Sequence, residues 1–220
     1  MNKTAGFLAA VATVAFASTA QAQICAGYPT GDRGMYFGAR ADFPEDLDSY
    51  GVEANYNFSG PLGVYGGLNV ISAEDEDEGE DDEDNSEDEL FAGVALETPS
   101  LGLMVGPRVS ACLVGEVRNI SDDEVSYNEF PIGLGIGASL GVPGVPVSGY
   151  VQPQLVITRV SIEDLDSETE TNFGVKAGAN IGFGLITVGA EVRHLFIDDE
   201  DLIGLVRDET TFGIRAGIRL

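Results

Sequence analysis

The 220-residue sequence has no tryptophan, two cysteines, one histidine, and 11 basic residues against 37 acidic ones. Each scarcity excludes something. With so little positive charge, nothing is available to neutralise a phosphate backbone, so nucleic acid is not an expected partner. His194 is the single histidine, and no spacing around it or elsewhere singles out a catalytic, cofactor-binding or metal-ligating set. After residue 22 no stretch is apolar for the ~20 residues that a membrane-crossing helix takes. Only two lysines accompany the formal charge of −26, a composition that suits a salt-rich habitat.

What is present begins with an address. Lys3 gives a positive start, Ala5 to Ala17 an apolar stretch, and Ala20-Gln21-Ala22 a small-residue cleavage site. Residues 1–22 therefore read as a secretory signal peptide, to be set aside from the fold. Residues 23–220 are long enough for one domain but short for two. Export would bring Cys25 and Cys112 into an oxidising compartment, where they stand either as a disulfide or as two separate thiols.

Acidic residues come in blocks. Thirteen of the 37 lie between Glu74 and Glu89, and others cluster around 45–48, 122–124, 163–170 and 198–208. Blocks of like charge repel themselves and stay extended, so these are read as loops. A calcium-loop reading of the longest fails. With Gly79 at the sixth position, Glu74 stands first and Asn85 twelfth, where Asp and Glu are needed. Diffuse association with divalent cations is the expectation left for it.

Between the blocks the chain alternates. In the last ten residues Phe212, Ile214, Ala216, Ile218 and Leu220 share one parity, and Gly213, Arg215, Gly217 and Arg219 the other. A period of two marks a strand with unlike faces. The pattern predicts ten strands: 35–43, 50–58, 62–71, 90–97, 101–117, 129–140, 147–160, 172–181, 185–196 and 211–220, with an irregular place at Pro107. Long acidic connections and short Gly/Pro/Ser turns alternate between them. An even number of such strands is the plan of a transmembrane barrel. The fold class is thus all-β, a single antiparallel up-and-down transmembrane β-barrel of ten strands, with eight as the alternative. Residues 23–33 become an N-terminal periplasmic or lumen segment, and 73–89 an acidic extracellular loop.

Alternation alone does not separate this barrel from a soluble, lipocalin-like one with its apolar face inward. Three features favour apolar-out. The polar parity is crowded with glycine, as at Gly133, Gly135 and Gly137, which suits a narrow lumen. It also balances its charges: Arg40, Arg108, Lys176, Arg193, Arg215 and Arg219 stand against Asp42, Glu53, Glu97, Glu116 and Glu191. Charges sequestered from water must be paired or cost several kcal/mol each. Finally, Phe43, Tyr50, Phe130, Phe173, Phe196 and Phe212 lie on the apolar parity beside the long loops, like an interfacial girdle.

Pattern and terminal strand together resemble the small bacterial outer-membrane barrels of the outer-membrane-protein-A or X-like kind, although such chains usually end in Phe rather than Leu220. The resemblance implies the outer membrane, contact with its lipid and lipopolysaccharide, and recognition of the closing strand by the barrel-assembly machinery. It also implies a filled, charge-paired lumen and a non-enzymatic role in envelope structure or surface interaction. A narrow channel, a rim hydrolase and a soluble periplasmic carrier are the other readings. His194 near the outer rim resembles the one histidine of outer-membrane aspartyl-type proteases, but no carboxylate pair can be matched to theirs. Gly137-Ala138-Ser139-Leu140-Gly141 fits the nucleophile-elbow pattern. That motif needs a strand-to-helix turn, and here a strand runs into a Gly/Pro turn at the end away from His194.

Overall fold

The computed structural model describes residues 24–28, 34–44, 47–58, 61–73, 86–98, 101–102, 107–121, 125–140, 145–162, 167–196 and 210–220. The expected signal peptide and most of the acidic blocks lie outside these residues. A 3₁₀ turn, Ile24–Ala26, precedes strands β1 (Gly34–Phe43), β2 (Leu47–Asn57), β3 (Leu62–Ala73), β4 (Ser86–Glu97) and β5 (Leu101–Gly102). Then follow β6 (Pro107–Ser121), β7 (Val125–Leu140), β8 (Val147–Ile162), β9 (Glu168–Phe183), β10 (Ile186–Phe196) and β11 (Thr210–Arg219). Every pairing is antiparallel, and all but two join neighbours in the chain. Two pairings close the sheet: β1 with β11, from Tyr36↔Arg219 to Phe43↔Phe212, and β4 with β6. Closure removes both sheet edges and satisfies the ladder without water. β5 is a two-residue spur, so the wall is a ten-stranded up-and-down barrel.

Side chains alternate as expected. More than thirty large apolar residues are exposed on the outside, among them Ile214 at 55% and Leu134 at 63%, while Arg215 is buried at 5%. Half-exposed in water, each would forgo about 1 kcal/mol of burial, which in sum exceeds the ~5–15 kcal/mol by which a domain is stable. A hydrocarbon surround removes that penalty.

The fifth expected strand, 101–117, is where the chain departs from the pattern. Leu101 pairs with Val109 and Gly102 with Arg108, so the chain reverses before Pro107. Proline has no N–H for the ladder and is tolerated as the first residue of β6. Cys112 consequently stands five residues into its strand rather than eleven, ~16 Å along it at ~3.3 Å per residue.

Strands also run further toward the long connections than the alternation indicated. β4 starts at Ser86, inside the expected 73–89 loop, and β6 to β9 span 15 or 16 residues against 10 or 11 in β1, β2, β10 and β11. The outer face of this taller wall turns polar above Phe130: Asn119 donates to Asn128 at 2.9 Å and Asn128 to Ser126 at 3.2 Å. With polar residues outside and Ile120, Tyr127 and Val160 turned inward, the apolar-out alternation ends here, yet the ladder continues through Ser121↔Ser126 and Val125↔Ile162. At the opposite end Met35 and Leu220 exchange backbone hydrogen bonds of 3.1 and 2.8 Å. There β9 turns into β10 through Gly184-Leu185, with Gly184 at φ +62°, a conformation that favours glycine.

Candidate functional site: the lumen

The inward parity fills the barrel in three layers. Lowest, beside the chain ends, residues 24–28 lie inside the wall against β6, β7 and β8. Cys25 is disulfide-bonded to Cys112, with Cα atoms 5.9 Å apart. The seat is cut by glycine: a Cβ on Gly135 would collide with the Cys25 carbonyl and the Cys112 Sγ. Gly27, at φ +89°, lies against Tyr150, whose Cζ would be 2.7 Å from an added Cβ. Asn180 donates to the Gly27 carbonyl at 3.2 Å. Tyr28 stacks near Tyr65, with ring centroids 4.8 Å apart, and lies 5.5 Å from the Arg215 guanidinium carbon.

The middle layer is ionic. Glu191 on β10 gathers three cations: Arg215, Arg40 at 3.4 Å and Lys176 at 3.5 Å. Tyr150 donates to the same carboxylate at 2.6 Å. Arg40 also grips Asp42 through two hydrogen bonds of 2.8 and 2.9 Å and approaches Glu53 at 3.8 Å. A second group centres on Arg118, paired with Glu116 and, at 3.4 Å, with Glu89. Tyr65 donates to Glu116 at 2.8 Å and Asn69 to Glu89 at 2.6 Å. Phe91 lies between the two groups, its ring 5.2 Å from the Arg40 guanidinium carbon and 5.6 Å from that of Arg118. Arg193 bonds Glu129 at 2.8 Å. Such groups are strongly coupled at low dielectric, where each partner left alone would be costly.

The upper layer is apolar. Ile71, Ile120, Tyr127 and Val160 are buried together, with Leu47 against them. Below it a cavity of about 30 Å³ is lined by Arg40, Asp42, Arg118 and Glu191 on one part and by Ile71 and Leu195 on another. That is room for on the order of two waters.

The chain matches the family model described as the outer membrane protein beta-barrel domain over residues 7–219. The chain belongs to this family. This outer-membrane barrel is also similar in fold to solved structures. One is the N-terminal β-barrel domain of Pseudomonas aeruginosa OprF, with 12% identity, 86% of this chain and 98% of that one covered, and a TM-score of 0.39. Another is the outer membrane protease OmpT of Escherichia coli, with 8% identity, coverage of 85% and 91%, and a TM-score of 0.41. A third is the β domain of the Bordetella autotransporter BrkA, with 11% identity, coverage of 85% and 98%, and a TM-score of 0.46. No curated protein matches the sequence. At such identities, and at TM-scores below 0.5, these likenesses carry no argument.

Of the charges picked out by parity, the barrel gathers Arg40, Asp42, Glu53, Glu116, Lys176, Glu191, Arg193 and Arg215 into the ionic layer. Arg108 and Arg219 stand apart from it at the lower rim; Arg108 is exposed, and Arg219 donates to the Gly184 carbonyl at 2.8 Å. Glu97 is buried near the same rim, opposite Cys112. Parity missed Arg118 and Glu89 because the expected strands stopped one residue short of each; continuing the count from Glu116 by two reaches Arg118. Glu129 opened its expected strand on the inward parity and was passed over. Tyr36, Tyr65 and Tyr150 fall on the same inward parity and are buried there, whereas Phe91 on that parity and Tyr28, ahead of the first strand, carried no weight in the sequence.

Ser139 and His194 lie at opposite ends of the barrel. Ser139 pairs with Arg108 and Ser148 at the lower rim. His194 shares a 2.8 Å hydrogen bond with Thr210 and packs edge-on against Phe196, 4.5 Å between centroids.

Proposed function

We propose that this outer-membrane barrel is a non-enzymatic envelope protein with a closed lumen, offering its acidic extracellular connections for surface interaction. The observation that carries the reading is the layered filling of the lumen, whose charges take partners from facing strands and line a cavity of about 30 Å³. A diffusion channel needs a continuous wet path, and a catalytic rim needs groups that can exchange protons with a substrate. Among the described residues the partners of His194 are a hydroxyl and a phenyl ring, neither of them a carboxylate. Residues 1–22 would direct export, and the closing strand β11 would be presented to the assembly machinery. Lipid and lipopolysaccharide would surround the apolar belt, with divalent cations collecting diffusely at the acidic connections. Planar-bilayer recording of the purified, oxidised protein tests the reading: a silent membrane is expected, and discrete ion steps would replace it with the narrow-channel alternative.

A further inference from the structure

We propose that residues 24–28 are a covalently fastened plug that seals a latent pathway for small cations through the barrel. The proposal rests on the closed-lumen reading above and says which part of the chain does the closing. Among the described residues, this segment is the only main chain inside the wall; every other obstruction is a side chain. Long Arg, Lys and Glu side chains can rotate and hydrate, whereas a backbone tied to β6 by Cys25–Cys112 cannot leave.

The plug also clamps the layer above it. Gly27 presses on Tyr150, which donates at 2.6 Å to Glu191 and accepts at 3.0 Å from Arg215, and the Tyr28 ring covers the same Arg215. With 24–28 gone, water would reach Glu191, Arg215 and Lys176 from below. Ion pairs weaken as the local dielectric rises, so the layer loosens where it now bars the way. Its composition sets the selectivity. Its six carboxylates, Asp42, Glu53, Glu89, Glu116, Glu129 and Glu191, outnumber its five cations, Arg40, Arg118, Lys176, Arg193 and Arg215, and an acidic, low-dielectric conduit concentrates cations.

The experiment compares three refolded proteins in planar bilayers under a potassium chloride gradient: oxidised wild type, a chain lacking 24–28, and Cys25→Ser/Cys112→Ser. Heat-modifiable gel migration establishes that each barrel is closed. The double-serine chain nearly conserves volume and carries the test if the deletion does not fold. The expected result is a silent wild type and discrete steps from the unplugged chains, with a reversal potential displaced toward that of potassium. Closed but silent variants, or steps that favour chloride, overturn the proposal while leaving the closed lumen standing. Equal conductance in all three overturns the closed lumen and the seal together.

Discussion

Arg40 of β1 and Glu191 of β10, 151 residues apart in sequence, meet across β11 with a nitrogen–oxygen distance of 3.4 Å. The contact exists only because the sheet closes, since β11 brings both neighbours around to one side of the lumen. Glu191 is shared by three cations, so its removal is felt by all of them.

Glu191→Ala should therefore destabilise the folded barrel by about 3–5 kcal/mol, because Arg40, Lys176 and Arg215 remain buried with too little counter-charge. Reversible urea unfolding in lipid vesicles measures this. A midpoint equal to that of the wild type would mean that the cations find water or other partners.

Phe91 faces guanidinium groups on both sides, at 5.2 and 5.6 Å. Phe91→Leu keeps an apolar side chain but loses the π face, which should cost about 1–2 kcal/mol for two desolvated cation–π contacts. Phe91→Tyr should retain most of it. If Leu and Tyr unfold at the same urea concentration, the contacts contribute nothing beyond packing.

Outward positions should respond to depth in the membrane. Ile214 lies midway along β11 on the outer face. Ile214→Arg is expected to cost ~2–4 kcal/mol near the bilayer midplane, and Phe212→Arg less, because it lies nearer the interface. Folding yield into vesicles across a urea series reads both. Equal penalties would place the apolar belt at a different height.

The disulfide should resist reductant in the folded barrel, since Cys25 and Cys112 are 0% and 2% exposed. Thiol–disulfide exchange needs the attacking thiolate to reach a sulfur. Dithiothreitol followed by maleimide labelling should add no mass to the native protein in detergent, and two labels after urea unfolding. Two labels on the native protein would show that the lower mouth opens.

Alternation along the strands sorted the side chains onto two faces, because the pleat sends successive side chains to opposite sides regardless of what lies beyond the strand; glycine, balanced charge and the aromatic girdle then favoured the apolar face outward. The lumen positions of Arg40, Lys176, Glu191 and Arg215 were legible for the same reason, as was the pair of cysteines as candidates. Partner choice was not. Which carboxylate meets Arg118, whether Cys25 reaches Cys112, and how Phe91 comes to lie between two arginines depend on strand register and on the reversal before Pro107. Those are set by non-local ladder pairing and by closure of the wall, and a period of two is the same in every register with the same parity. The sequence by itself determined which side chains turn inward; only the closed sheet decided which of them touch.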